Sequence, residues 1–245
     1  MTDATVGADD GRMSLMEHLT ELRSRLFKSA LAIALCSVVG FWLSEHLLHW
    51  LNVYYRNAAR DQSKTLVIST PLEGFAIKLK IAGYVGLFGS SPVWLWQCWQ
   101  FITPGLKQKE RRYAVPFLMS SVLLFLFGGA VGLLTLPAGL RFLVSVAGKN
   151  QELLFQSEKF VSFVTLVVII FGFSFLFPVV IVFLELVNLV TPKQLLSAWR
   201  YAIVVIVIIA AVITPSQDPI SLLAMAGPMV IFYFGAILIG RLAKK

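Results

Sequence analysis

Long apolar runs separated by short polar stretches organise this chain. Leu15, Leu19, Leu22 and Leu26 recur at helical intervals, and Ser14 with Glu17 has capping-box spacing, so the pattern predicts an amphipathic helix beginning at about residue 14. Arg23, Arg25 and Lys28 flank its apolar face, which suits a helix lying along a membrane surface before the chain enters. A first span follows over about Leu26 to Trp42. From Ser44 to Thr70 the chain turns mixed and polar, with His46, His49, Tyr54 and Tyr55, and reads as a structured external loop with interfacial aromatics. Thr70, Pro71 and Glu73 then supply a cap, a first-turn proline and an N3 carboxylate for a second helix. Continued to Phe101, that helix would be about 46 Å long, more than the bilayer core, so it must tilt, kink or protrude. Gly83, Gly86 and Gly89, followed by Ser90, Ser91 and Pro92, place a bend near its middle.

A third span is predicted from about Ala114 to Leu136, with Pro116 in its first turn and Pro137 closing it, and a second external loop covers about Pro137 to Lys159. Phe160 to Val190 is almost wholly apolar and too long to stand upright; it holds Pro178, which should kink it, and one carboxylate, Glu185. Thr191 and Pro192 restart the chain into a short apolar segment, Tyr201 to Ile213, that spans only about 20 Å. A tight turn at Thr214 to Pro219 leads into Ile220 to Ile239, broken by Gly227 and Pro228, so the last two helices read as a short hairpin. Runs near the ~20 residues that cross a bilayer indicate helices, not the alternating strands of a barrel. The reading is an all-α integral membrane protein of six transmembrane helices: a flexible tail over 1–13, one membrane domain over 14–240 with its N-terminal amphipathic helix, and a basic tail over 241–245.

Composition narrows the class further. Of the residues, 58% are hydrophobic and only 14% charged, and a mean hydropathy of +0.80 excludes an ordinary water-soluble globule. The net charge of +8 sits mostly at the ends of apolar runs, where it sets orientation, so no nucleic-acid partner is expected. Arg12, Arg23, Arg25 and Lys28, the basic cluster Lys107 to Arg112, Lys193 with Arg200, and Arg241, Lys244 and Lys245 all fall on one side if both termini are cytoplasmic. Cys36 and Cys98 lie within apolar runs and read as buried thiols. The first dozen residues are polar and lack an apolar h-region, so no cleaved signal peptide is expected.

No catalytic constellation emerges: His18, His46 and His49 lack metalloprotease spacing, and there is neither a nucleophile elbow nor a phosphate loop. Neither an enzyme nor a cofactor is expected. Two carboxylates stand out, because Glu21 and Glu110 both fall at the same mouth of the bundle amid positive charge. Each can be an ordinary surface ion pair, Glu21 with Arg25 one turn on and Glu110 with its basic neighbours. The ordinary ion pairs are the stronger reading of the charges alone; the functional alternative is that two carboxylates present a site to a pair of guanidinium groups, which favour flat, bidentate carboxylate contacts.

Four segments in order, Glu17 to Arg23 (EHLTELR), Trp99 to Leu106 (WQFITPGL) leading to Glu110-Arg-Arg112, Phe173-Ser-Phe ahead of Pro178, and Thr214 to Asp218 (TPSQD), together resemble the TatC family. TatC is the polytopic core of the twin-arginine protein translocase, and the resemblance extends from about Ser14 to Gly240. It implies a receptor for the twin-arginine signal peptides of folded cargo, working in a multi-subunit complex with TatA and TatB in the inner membrane of a prokaryote and driven by the proton-motive force. It further implies that Glu21 and Glu110, with His18, Arg23, Phe101 and Pro104 around them, form the signal-peptide-binding surface. Asp218 matches an acidic position in the last external turn. Many family members carry a polar or acidic residue two positions before the proline of span four, where this chain has Leu176. Glu185, nine residues on, falls on roughly the opposite helical face, so an intramembrane or translocation role for it is a separate possibility. The alternative reading is a proton-coupled small-solute transporter, for which Glu185 and the helix breaks at Pro92, Pro178 and Gly227-Pro228 would be the working parts.

Overall fold

Helices account for nearly everything in the computed structural model, which describes residues 15–59, 68, 70–102, 114–147, 156–186, 189–213 and 219–243. Among the described residues there are nine: α1 (Leu15–Ala59), α2 (Pro71–Gly89), α3 (Ser91–Ile102), α4 (Ala114–Ala147), α5 (Ser157–Ser174), α6 (Phe177–Leu186), α7 (Pro192–Ser197), α8 (Trp199–Ile213) and α9 (Pro219–Ala243). Four stretches are long and apolar enough to cross a membrane, 16–56, 115–142, 157–185 and 221–238, and a shorter apolar helix covers 199–212. The pair α2 and α3 is not among them: it is split by a break and carries Glu73, Lys78 and Lys80 near its start.

Helix α1 packs along α2 and α3, and close approach of backbones holds the pair together. Between helices in lipid the gain comes from van der Waals contact, which small residues make possible. At Gly86 a Cβ would lie 2.7 Å from the Ile33 carbonyl oxygen, so nothing larger than glycine fits there. Gly128 does the same between α4 and α5, where a Cβ would sit 2.6 Å from the Phe171 carbonyl oxygen. The packed centre is α5: Phe160, Val161, Val164, Val167 and Phe171 are buried against Ile77 and Ile81 of α2, Leu136 and Leu140 of α4, and Met225, Met229 and Tyr233 of α9.

The expected cap at Thr70 forms, its hydroxyl accepting from the Glu73 amide at 3.2 Å. Thr191 and Gln194 form a complete capping box for α7. The expected bend of the second long helix falls at Ser90, where Pro92 removes an amide donor and the Trp94 indole donates to the Leu87 carbonyl at 3.0 Å across the break. The fourth is broken at Phe175 and Leu176, just before Pro178.

Several expectations need correcting. Helix α1 does not end near Trp42: it runs unbroken for 45 residues to Ala59, so the amphipathic start, the span and much of the supposed external loop are one helix. At 1.5 Å per residue it is about 68 Å long, roughly twice the bilayer core, and His46, His49 and Tyr54 belong to its far end. Pro137 does not close the third span, because α4 continues through it to Ala147. A proline there orphans the Leu133 carbonyl four residues back, and the Tyr54 hydroxyl of α1 donates to that oxygen. Nor does Gly227-Pro228 break the last helix: α9 is continuous over 25 residues, so of the final pair α8, at 15, is the short one. Cys36 is half-buried and Cys98 exposed, so neither is the buried thiol expected. The Ser14 cap, the N-terminal tail, the segment 103–113, the turn 214–218 and residues 244–245 lie outside the described residues, while Arg241 to Ala243 of the expected basic tail form the last turn of α9.

Candidate functional site

The last turn of α3 is pinned from behind by Trp99. Its indole donates to the Ser121 hydroxyl at 3.0 Å, and its ring stacks on Phe117 at 5.1 Å and meets Phe183 edge-on at 5.2 Å. With Trp99 held among α4 and α6, the next residues on α3, Gln100 and Phe101, reach α1. Phe101 stacks on His18 with ring centroids 4.4 Å apart and planes 21° from parallel. Two turns further along α1, Arg25 donates through Nη1 to the Gln100 side-chain oxygen at 2.5 Å.

The same guanidinium grips Glu21. Arg25 Nε donates to Glu21 Oε1 at 3.0 Å, and Nη2 donates to the same oxygen. Both side chains are largely shielded, at 18% and 20% exposure, so the pair is stronger than an open surface bridge. The carboxylate is nevertheless used on one side only, since Glu21 Oε2 is buried and has no partner among the described residues. A carboxylate oxygen removed from water without a donor is costly, and a further N–H reaching it would recover that cost. The chemistry on offer is therefore recognition of a cationic donor beside a flat aromatic pair.

The structure brings together three of the residues singled out from the sequence: His18, Glu21 and Phe101. Arg23, two residues beyond Glu21, points elsewhere on α1 and is exposed beside Thr20, Ser24 and Phe27. Pro104, Glu110 and Asp218 lie outside the described residues. Glu185 is fully buried on α6. Leu176 sits in the turn between α5 and α6. Gln100 went unnoticed in the sequence, where one amide in an aromatic run has no periodic signal; its part appears only when α1 and α3 meet.

A second polar cluster lies along the same helices. Lys78 of α2 pairs with Glu45 of α1 at 2.5 Å. Lys80 pairs with Glu158 of α5 at 2.6 Å and donates to Ser162 at 3.0 Å, while the Glu158 amide donates to Glu73 at 3.3 Å. Glu45 is 24 residues beyond Glu21 on one continuous helix, so the two clusters are separated by about 36 Å, close to the hydrocarbon thickness.

Comparison with known proteins gives a consistent result. Residues 17–228 match the family described as Sec-independent protein translocase protein (TatC). The chain is 38% identical to the protein of that name from Frankia casuarinae over 97% of its own length and 68% of the relative's. It is 37% identical to the one from Synechocystis over 97% of this chain and 91% of the relative, and 36% identical to the chloroplastic protein of Arabidopsis thaliana over 97% and 69%. A crystal structure described as the twin arginine translocase receptor TatC superposes with a TM-score of 0.74 at 34% identity, covering 94% of this chain and all of that one. A second, solved in the detergent DDM, gives 0.75 at 34% identity over 91% and 99%.

Proposed function

The chain belongs to the TatC family of Sec-independent protein translocase proteins, and on that premise we propose that it is the receptor that reads paired arginines in the signal peptides of folded cargo. Family membership makes it a multi-pass membrane component of a protein translocase and not an enzyme. On our reading both termini face the cytoplasm of a prokaryote, six helical passages cross the inner membrane, and the end formed by α1 and α3 is the cytoplasmic mouth. Its partners are TatA and TatB, and the proton-motive force drives transport.

The observation that carries this reading is Glu21, whose carboxylate is shielded beside the His18–Phe101 stack with one oxygen unsatisfied among the described residues. A guanidinium offers planar N–H donors to the carboxylate and a flat face to the rings, which a lysine ammonium cannot match. Glu110, only eight residues past the end of α3, is assigned as the second carboxylate, so that two acids meet two arginines. The test is crosslinking of a peptide with paired arginines to the full-length protein in membranes. Glu21→Ala and Glu110→Ala should each weaken it, and unchanged crosslinking in both variants would overturn the assignment.

A further inference from the structure

An arginine four residues from a glutamate on one helix face commonly satisfies both carboxylate oxygens with two parallel N–H groups. Arg25 does not. Its Nε and Nη2 converge on Glu21 Oε1, while Nη1 is held 2.5 Å from the Gln100 side-chain oxygen on α3. The result is a guanidinium fixed at three of its nitrogens, each in a defined direction, and a Glu21 Oε2 left buried with no donor among the described residues. Gln100 is in turn fixed in place by its neighbour Trp99, hydrogen-bonded to Ser121 at 3.0 Å.

We propose that Gln100 is a positioning residue for guanidinium recognition: by holding Arg25 on one oxygen of Glu21, it keeps the other oxygen open for the incoming arginine. This rests on the receptor reading of the same surface. Arg25 is chemically the same as the group to be bound and is tethered one turn away, at an effective concentration no free peptide matches. Released from Gln100, it turns to span both oxygens of Glu21, and the site is occupied from within. Gln100 thus acts through Arg25, and its effect should vanish when Arg25 is gone.

The experiment measures binding of a fluorescent peptide with paired arginines to the full-length protein purified in detergent. Gln100→Met, which keeps length but removes the acceptor, should weaken binding about tenfold, the value of one charge-assisted hydrogen bond. Gln100→Glu, which restores an acceptor at the same reach, should restore binding. In an Arg25→Leu background, Gln100→Met should produce no further loss. Melting temperatures identify variants that fail to fold, and Gln100→Leu replaces Gln100→Met if the latter does not yield folded protein. Unchanged binding in Gln100→Met while Glu21→Gln weakens it would overturn the inference and leave the receptor reading standing. An equal loss with and without Arg25 would also overturn it, by showing direct action. Unchanged binding in Glu21→Gln would overturn both.

Discussion

The two ends of the α1 helix use the same residue types to opposite effect. At the Lys80 end, charges are matched across three helices: Lys80 bridges Glu158 and Ser162 of α5, the Glu158 amide reaches Glu73, and Lys78 meets Glu45. At the Glu21 end, one acid, one base and one amide are arranged so that a buried carboxylate oxygen has no partner among the described residues. Matched charges tie helices together, whereas a shielded but incompletely satisfied charge stores affinity for something else. The difference fits a structural role for the first cluster and supports the binding role we propose for the second.

Substitutions can break this contrast if it is wrong. Glu21→Gln should cost about ten- to a hundredfold in affinity for a paired-arginine peptide, the range for losing a hydrogen bond to a charged group. Its thermal stability should not fall, because the change removes a buried charge that is only half satisfied; a lower melting temperature with intact binding would reverse the roles of the two ends. Phe101→Ala removes the face on which His18 stacks, worth about 0.5–1.5 kcal/mol, and should weaken peptide binding by about three- to tenfold in the same titration. Lys80→Met should leave binding unchanged and lower stability by less than about 1 kcal/mol in a thermal melt, since both partners are partly exposed. Lys78→Met should do least of all, with no measurable shift in either assay, because its partner Glu45 is open to solvent.

Local chemistry was legible in the sequence and tertiary chemistry was not. Thr70 announces its cap because a hydroxyl and an amide three residues apart suffice to make it. Ser90 to Pro92 and Pro178 announce their breaks for the same local reason. Pro137 misled, because its orphaned carbonyl is satisfied by Tyr54 from α1, far away in the chain, and a proline so compensated does not end a helix. The polar far half of α1 also misled: hydropathy marks where a helix leaves lipid, not where it ends. At the candidate site, the spacing of Glu21 and Arg25 gave their pairing, and the family resemblance gave His18 and Phe101. That Arg25 uses one oxygen alone, and that Gln100 holds it there, depends on the register between α1 and α3, which no single stretch of sequence contains.

On the receptor reading we propose, paired arginines are read where α1 meets the end of α3. A photoreactive residue placed at the exposed position Ile102, beside Phe101, compared with one at the exposed position Leu79, beside Lys78 and Lys80, tests it most directly. A paired-arginine peptide should crosslink at 102 and not at 79, and changing both arginines to lysine should abolish the crosslink. Crosslinking at 79 in preference to 102, or at 102 regardless of the arginines, would contradict it.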